Sequence, residues 1–275
     1  MMLRSSLRKG FLNFIVTRNI NSMNSEQIIE KYYKKEFTNQ LEFTVQKKPY
    51  PLFRVMDLEG KIINPEYENI DKEICLNILE KMLQNREMDV VYQNAQRQNR
   101  ITFYMTSKLE EAAIFGTGVA IKPDDSLFFQ YREFPLLFLR GWNPKIYLDH
   151  LAGNHLAKDK GRCLALAHSD PEAKLFPNSG PLGNRYPHSS GAGFLYRVQG
   201  LDKIAVNFIG DGSASEGDVY AAMNFAAVLN SQTLFLVRNN VYAISTFITD
   251  QYKGDGVGPR GIGLGIPFIK VGLLI

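Results

Sequence analysis

Residues 204–242, IAVNFIGDGSASEGDVYAAMNFAAVLNSQTLFLVRNNVY, limit the fold more than any other stretch of the chain. Ile204 to Ile209 is a short apolar run with β-branched members, closed by the turn Gly210-Asp211-Gly212 before helical spacing begins. Ser215 stands three residues before Asp218 in a capping arrangement, and Ala222, Phe225, Ala226 and Leu229 recur on one helical face. Thr233 to Val237 reads as a second buried strand. Strand, helix and strand in that order make a βαβ unit, whose parallel strands bring their carboxyl ends to one edge of a sheet.

That edge is where open α/β sheets bind ligands. Asp211 follows the first strand, and Asn240 and Tyr242 follow the second, so the three can meet there. A carboxylate, a carboxamide oxygen and backbone carbonyls suit Mg²⁺, which keeps part of its octahedron for water and phosphate oxygens. Gly212 allows close approach of a phosphate, the amide groups near Ser213 open the helix toward it, and Arg238 adds positive charge. An isolated Gly-Asp-Gly is usually a plain turn. Here it follows a strand, opens a helix, and is answered by Asn240, twenty-nine residues after Asp211.

This arrangement resembles the thiamine diphosphate motif. More narrowly, GDGSASEGD, RNNVYAIST and QYKGDGVGPRG resemble alpha subunits of the branched-chain 2-oxo acid dehydrogenase E1 component, over roughly residues 40 to 271. The resemblance implies an α/β fold, an open and mostly parallel sheet flanked by helices, incomplete at the C-terminus because related chains continue well past Ile275. It implies Mg²⁺ held by Asp211, Asn240 and the Tyr242 carbonyl. Tyr131 and Arg132 of QYRE, with Gly212, Ser213 and Arg238, would surround the diphosphate, and Pro181-Leu182 would support the bent cofactor from below. The implied activity is oxidative decarboxylation of a branched-chain 2-oxo acid and acyl transfer to a lipoyl-bearing E2. The implied assembly is an alpha2-beta2 heterotetramer, with catalytic residues mainly on the beta subunit and in a C-terminal loop beyond this chain. The chain departs from the family pattern at three places. Leu109 replaces a Gly before Glu110-Glu111, Ala167-His168 replaces His-Tyr, and Asn184-Arg185 replaces small polar residues that help hold a monovalent cation such as K⁺.

Composition narrows the remaining classes. The formal charge is +4, and the segment 1–25 carries Arg4, Arg8, Lys9 and Arg18 with no acid, so the rest of the chain is balanced. A nucleic-acid surface would need a basic patch in the folded part. The basic, acid-free leader has the character of a mitochondrial transit peptide, which places the expected protein in the matrix. No apolar run approaches the ~18 residues of a membrane span. The segment 26–70 reads as an extended arm and 71–275 as the cofactor domain. Within that domain Asp71 caps a helix with Cys75, Ile78, Leu79 and Met82 on one face, residues 109–119 form a second helix, and Leu127 to Phe129 is a strand. Phe134 to Leu139 and Trp142 build core, 161–191 is irregular surface, Gly254 to Gly265 is a flexible loop, and Ile266 to Val271 is a further strand. The cysteines, Cys75 and Cys163, form no disulfide or metal pattern, and His150, His155, His168 and His188 lack the spacing of helical metal ligands. Alternative readings are a pyruvate-specific E1 alpha subunit, a truncated chain that pairs with a beta subunit without turnover, and an unrelated phosphate-binding α/β protein.

Overall fold

The structure, a computed structural model, describes residues 39–41, 43, 45 and 48–272. The chain divides into two units, Met1–Tyr50 and Pro51–Ile275, and all described helices and strands belong to the second. The expected leader at 1–25 and the first part of the arm lie outside the described residues.

Asp71 caps the long helix α1 (Lys72–Arg97), its carboxylate accepting the Glu73 N–H at 2.8 Å. The buried face begins later than the spacing predicts. Cys75 and Leu79 are exposed, Ile78 and Met82 touch the core only partly, and full burial starts at Asn85, Met88, Asp89 and Tyr92. Asp89 fastens the following chain by accepting from the Tyr104 hydroxyl at 2.6 Å and the Ser107 N–H at 2.9 Å. The second helix, α2, runs over Glu111–Ala120. Leu109 just before it has φ +69°, a left-handed conformation that suits glycine.

The central sheet has three parallel strands, β1 (Ser126–Phe128), β2 (Ala205–Gly210) and β3 (Thr233–Arg238), in the order β1-β2-β3. Phe128 pairs with Asn207, and Gly210 with Arg238. Helices cover both faces of β2, so its side chains are buried in both directions, as parallel strands in α/β folds usually are. Val206 and Phe208 enter the larger core with Leu127, Phe129, Phe134, Leu136 and Tyr147. A 3-10 segment (Phe134–Arg140) and the helix α3 (Pro144–Leu151) supply much of that layer. On the opposite face Asn207 donates to Ser189 at 2.6 Å, and Ile209 packs with Tyr186, Val219 and Ala222. Ser189 and Tyr186 come from α4 (Arg185–Val198), Val219 and Ala222 from α5 (Gly217–Val228). Removing a ring such as Phe208 would cost about 3–5 kcal/mol through lost transfer energy and the cavity left behind.

Several boundaries differ from the sequence expectation for local reasons. The cap of α5 is Glu216 rather than Ser215, because Ser213–Ser215 closes first as a 3-10 turn. Its inner face is Val219, Ala222, Met223 and Ala226, while Phe225 stays 55% exposed. β3 is only half-buried, because it is the last strand of the described sheet and lacks a neighbour on its outer side. The irregular segment stops at Asn184, where α4 begins, although 161–191 reads as surface loop.

After β3 a two-stranded ribbon, β4 (Tyr242–Ala243) with β5 (Thr246–Phe247), turns the chain into the short helix α6 (Ile248–Gln251). The glycine-rich stretch is not all loop, for Pro259 in the first turn helps fix another short helix, α7 (Gly258–Gly263). Ile266 to Val271 forms no strand. A single bridge joins Val271 to Phe53, with the Phe53 N–H on the Lys270 carbonyl at 2.8 Å. Among the described residues no helix is long and apolar enough to cross a membrane.

Candidate functional site

The strand register builds the rim. Because Gly210 lies opposite Arg238, the residues leaving both strands emerge side by side, and the Asp211 N–H donates to the Arg238 carbonyl at 3.2 Å. The Asp211 carboxylate is 1% exposed. Burial pushes its pKa up, opposed by hydrogen bonds from backbone N–H groups, including those of Asn240 and Gly212, and from the Gln251 amide. The Gln251 contact is long, at 3.5 Å. A Cβ on Gly212 would stand 2.6 Å from the Ala243 Cβ, so only glycine lets the turn touch the segment carrying Asn240 and Tyr242. The structure thus brings Asp211, Gly212, Asn240 and Tyr242 together.

That segment is strained. Val241 and Ile244, β-branched residues on either side of Tyr242, have φ +63° and +57°. Such residues rarely take left-handed angles, and conformations of this kind concentrate at functional sites. The Asn240 side-chain oxygen accepts the Tyr242 N–H at 3.3 Å, and its nitrogen donates to Glu110 Oε1 at 3.2 Å.

The charges behind the rim are more tightly paired than the sequence suggests. Arg238 is buried with its guanidinium against Glu110 and Glu133, and its Nη2 also reaches Gln130 Oε1 at 3.3 Å. Desolvation lowers the Arg238 pKa to about 10. Glu133 is fully buried, and desolvation outweighs its hydrogen bond from the Gln130 N–H and the nearby arginines, raising its pKa to about 7. Arg132 stacks on the Tyr131 ring at 5.0 Å and approaches Glu110 at 3.8 Å. Glu110 therefore contacts Arg132, Arg238 and Asn240 at once, an internal anion among the groups expected to meet a diphosphate.

Gln130, Glu110, Glu133 and Tyr186 were not singled out by the motifs. Gln130 binds the Ser213 hydroxyl at 2.6 Å and the Tyr186 hydroxyl at 3.2 Å, while Tyr186 and Ser213 lie 2.5 Å apart. The Ser213 side chain is thereby committed to fixing the turn. Only the position of Gln130 in QYRE hinted at this role.

Pro181 and Leu182 sit on the loop before α4, the first exposed and the second half-buried. The next N–H, of Gly183, donates to the Glu216 carboxylate at 2.8 Å, which ties this loop to the start of α5. Asn184 is exposed, and Arg185 is 1% exposed with its guanidinium on the Asn178 side chain and 5.4 Å from the Tyr186 ring.

Chemically, the rim offers carboxylate, carboxamide and carbonyl oxygens to a cation, with guanidinium groups behind them for an anion. The oxygen set fits a hard divalent ion such as Mg²⁺. A monovalent cation beside Asn184 and Arg185 fits poorly, since the buried guanidinium already places a fixed positive charge there.

The Dehydrogenase E1 component family matches residues 79–272. The mitochondrial 2-oxoisovalerate dehydrogenase subunit alpha of Dictyostelium discoideum is 36% identical over 277 residues, covering 97% of this chain and 62% of that relative. The human counterpart is 37% identical over 239 residues, covering 86% of this chain and 54% of its own length. Subunit alpha 1 of Arabidopsis thaliana is 32% identical, with 93% and 55% covered. The chain spans between half and two-thirds of the length of these curated relatives.

Proposed function

We propose, from the premise that this chain belongs to the Dehydrogenase E1 component family, that it is a mitochondrial E1 alpha subunit binding Mg²⁺ and thiamine diphosphate at this rim. The observation that carries the reading is the convergence of the buried Asp211 carboxylate with Asn240 and Tyr242 through the Gly212–Ala243 contact. Similarity to 2-oxoisovalerate dehydrogenase alpha subunits supports a branched-chain 2-oxo acid as substrate, a beta subunit as partner and a lipoyl-bearing E2 as acyl acceptor. Their mitochondrial labels and the basic, acid-free leader support a matrix location.

In this reading Asp211, the Asn240 side chain and the Tyr242 carbonyl hold Mg²⁺. Arg132, Tyr131 and Arg238 face the diphosphate, with Gly212 and the amide groups near Ser213 closing over it and Pro181-Leu182 bracing the cofactor. Arg132 and Arg238 must turn part of their charge from Glu110 toward phosphate, and Glu133 holds the second side of Arg238 in place. Gln130, Tyr186 and Ser213 lock the turn so that Asp211 keeps its orientation. When bound, the cofactor supplies the electron sink for decarboxylation. This chain orients the metal and diphosphate, while the groups acting on the substrate are contributed largely by the beta subunit. K⁺ is left out of the proposal because of the Arg185 charge.

The test is calorimetric titration of Mg-thiamine diphosphate into the chain co-expressed with its beta subunit, alongside turnover of 2-oxoisovalerate and pyruvate. Binding that disappears in Asp211→Ala, with preference for 2-oxoisovalerate, is the expected result. Unchanged affinity in that variant would sink the assignment. Binding without turnover of either acid would move the chain to a pairing role, and preference for pyruvate would change the substrate.

A further inference from the structure

Away from the rim, the last turn of α3 and the loop that follows it gather His150, Asp159 and His168. They are separated by nine residues at each step, so no sequence motif announces them. Their ligand atoms all lie within 4.8 Å of one another. The Asp159 Oδ2 atom stands 2.8 Å from His168 Nδ1 and 3.5 Å from His150 Nδ1. Ligands at ~2.0–2.1 Å in a tetrahedral zinc site are about 3.3 Å apart, so these separations are near those of a coordinated set.

The surroundings hold the three groups in place. Trp142 stacks on His150 at 4.7 Å, and Phe134 meets His168 edge-on at 5.7 Å. Asp159 sits in a pinched loop whose ends touch. A Cβ on Gly161 would lie 2.1 Å from the Gly153 carbonyl oxygen, and both glycines have positive φ, +72° and +62°. The Gly161 N–H holds Asp159 Oδ1 at 3.1 Å, which leaves Oδ2 facing the imidazoles. The His150 and His168 side chains are fully buried, yet His150 Nδ1, aimed at that oxygen, has no hydrogen-bond partner. One carboxylate oxygen does not satisfy both rings. The half-buried Cys163 lies four residues beyond Asp159 in the same loop, outside the cluster of three ligand atoms, and would complete the set only by swinging in.

We infer that His150, Asp159 and His168, completed by Cys163, form a structural site for a zinc-like divalent transition metal. Two imidazoles, a carboxylate and a thiolate match the borderline-soft preference of Zn²⁺ and give a neutral filled site. Binding releases the thiol proton to the buffer, each neutral imidazole keeps its one proton on the nitrogen that does not coordinate, and no electron is transferred. Coordination through His150 Nδ1 leaves a proton on Nε2, so the 3.3 Å contact from the Lys158 N–H must open by a small shift of the loop. Filled, the site would clamp the loop to the layer containing Phe134, directly after QYRE. The site does not depend on the function of the rim.

Cobalt titration of the chelator-treated full chain tests this, with bound zinc measured separately by elemental mass spectrometry. We expect one equivalent of Co²⁺ with the visible bands of a tetrahedral ion and a thiolate charge-transfer band, and zinc that displaces it. Asp159→Asn, which preserves side-chain shape, should weaken binding at least tenfold, and Cys163→Ser should remove the charge-transfer band. Asp211→Asn should change neither. Absence of a tetrahedral spectrum in the folded wild-type chain overturns the inference. So do undiminished binding in Asp159→Asn, a persisting charge-transfer band in Cys163→Ser, or a spectrum that disappears in Asp211→Asn.

Discussion

The rim around Asp211 and the loop cluster around His150 are built by opposite means. At the rim, parallel strands fix where the ligating residues emerge, the donors are oxygen atoms, and backbone strain falls on Val241 and Ile244. In the loop cluster no strand sets the spacing, the donors are two imidazoles and a carboxylate, and the turns at Gly153 and Gly161 use residues that take positive φ readily. A site at strand ends inherits its geometry from the sheet. A loop site must be held by local contacts, here Trp142, Phe134 and the Gly153–Gly161 pinch.

The difference is sharpest in paired substitutions. Asp211→Ala should lower Mg-thiamine diphosphate affinity more than about 100-fold, beyond the 10–100-fold typical of losing an outer-shell partner. Asp159→Asn should leave that affinity within about twofold. Calorimetry on the assembly measures both, and equal effects would break the separation of the two sites.

Next in size is the proton on Glu133. Burial raises its pKa from 4.5 to about 7, so the folded chain retains a proton that the unfolded chain loses across that interval. Stability of the cofactor-free chain should therefore fall as pH rises from 4.5 to about 7. Glu133→Gln should flatten that part of a urea-denaturation profile taken against pH.

Smaller effects address strain and charge at the rim. Val241→Gly relieves a left-handed β-branched residue and should raise stability by about 1 kcal/mol, read as a shift of the denaturation midpoint. Glu110→Gln removes the internal anion and should tighten diphosphate binding about fivefold, equivalent to about 1 kcal/mol. Loss of affinity in that variant would mean that Glu110 positions the arginines rather than competing with phosphate. Replacing K⁺ by choline should leave both stability and cofactor affinity unchanged, because Arg185 supplies a fixed charge where the cation was expected.

The βαβ core was legible because apolar periodicity and the Gly-Asp-Gly turn are local signals, and parallel topology then places Asp211 beside the segment after β3. The same local reasoning placed Ala222 and Ala226 correctly on the inner face of α5 but rotated the rest, giving Phe225 and Leu229 where Val219 and Met223 are buried, and Ser213–Ser215 closed a tight turn that moved the helix start. It also turned Ile266 to Val271 into a strand that finds only the Phe53 bridge, since an apolar run becomes a strand only where a neighbour accepts its hydrogen bonds.

The sequence by itself determined the strand-turn-helix-strand unit, the oxygen donors at its edge and the family to which the chain belongs. Tertiary structure alone decided that Arg238 is shared between Glu110 and Glu133, that Gln130 and Tyr186 hold Ser213, and that three residues nine apart meet at Asp159. The physical reason is range. Periodicity and turn chemistry act over a few neighbouring residues, whereas pairing of buried charges and convergence of loop ligands depend on which distant side chains the packed core brings within a few ångströms.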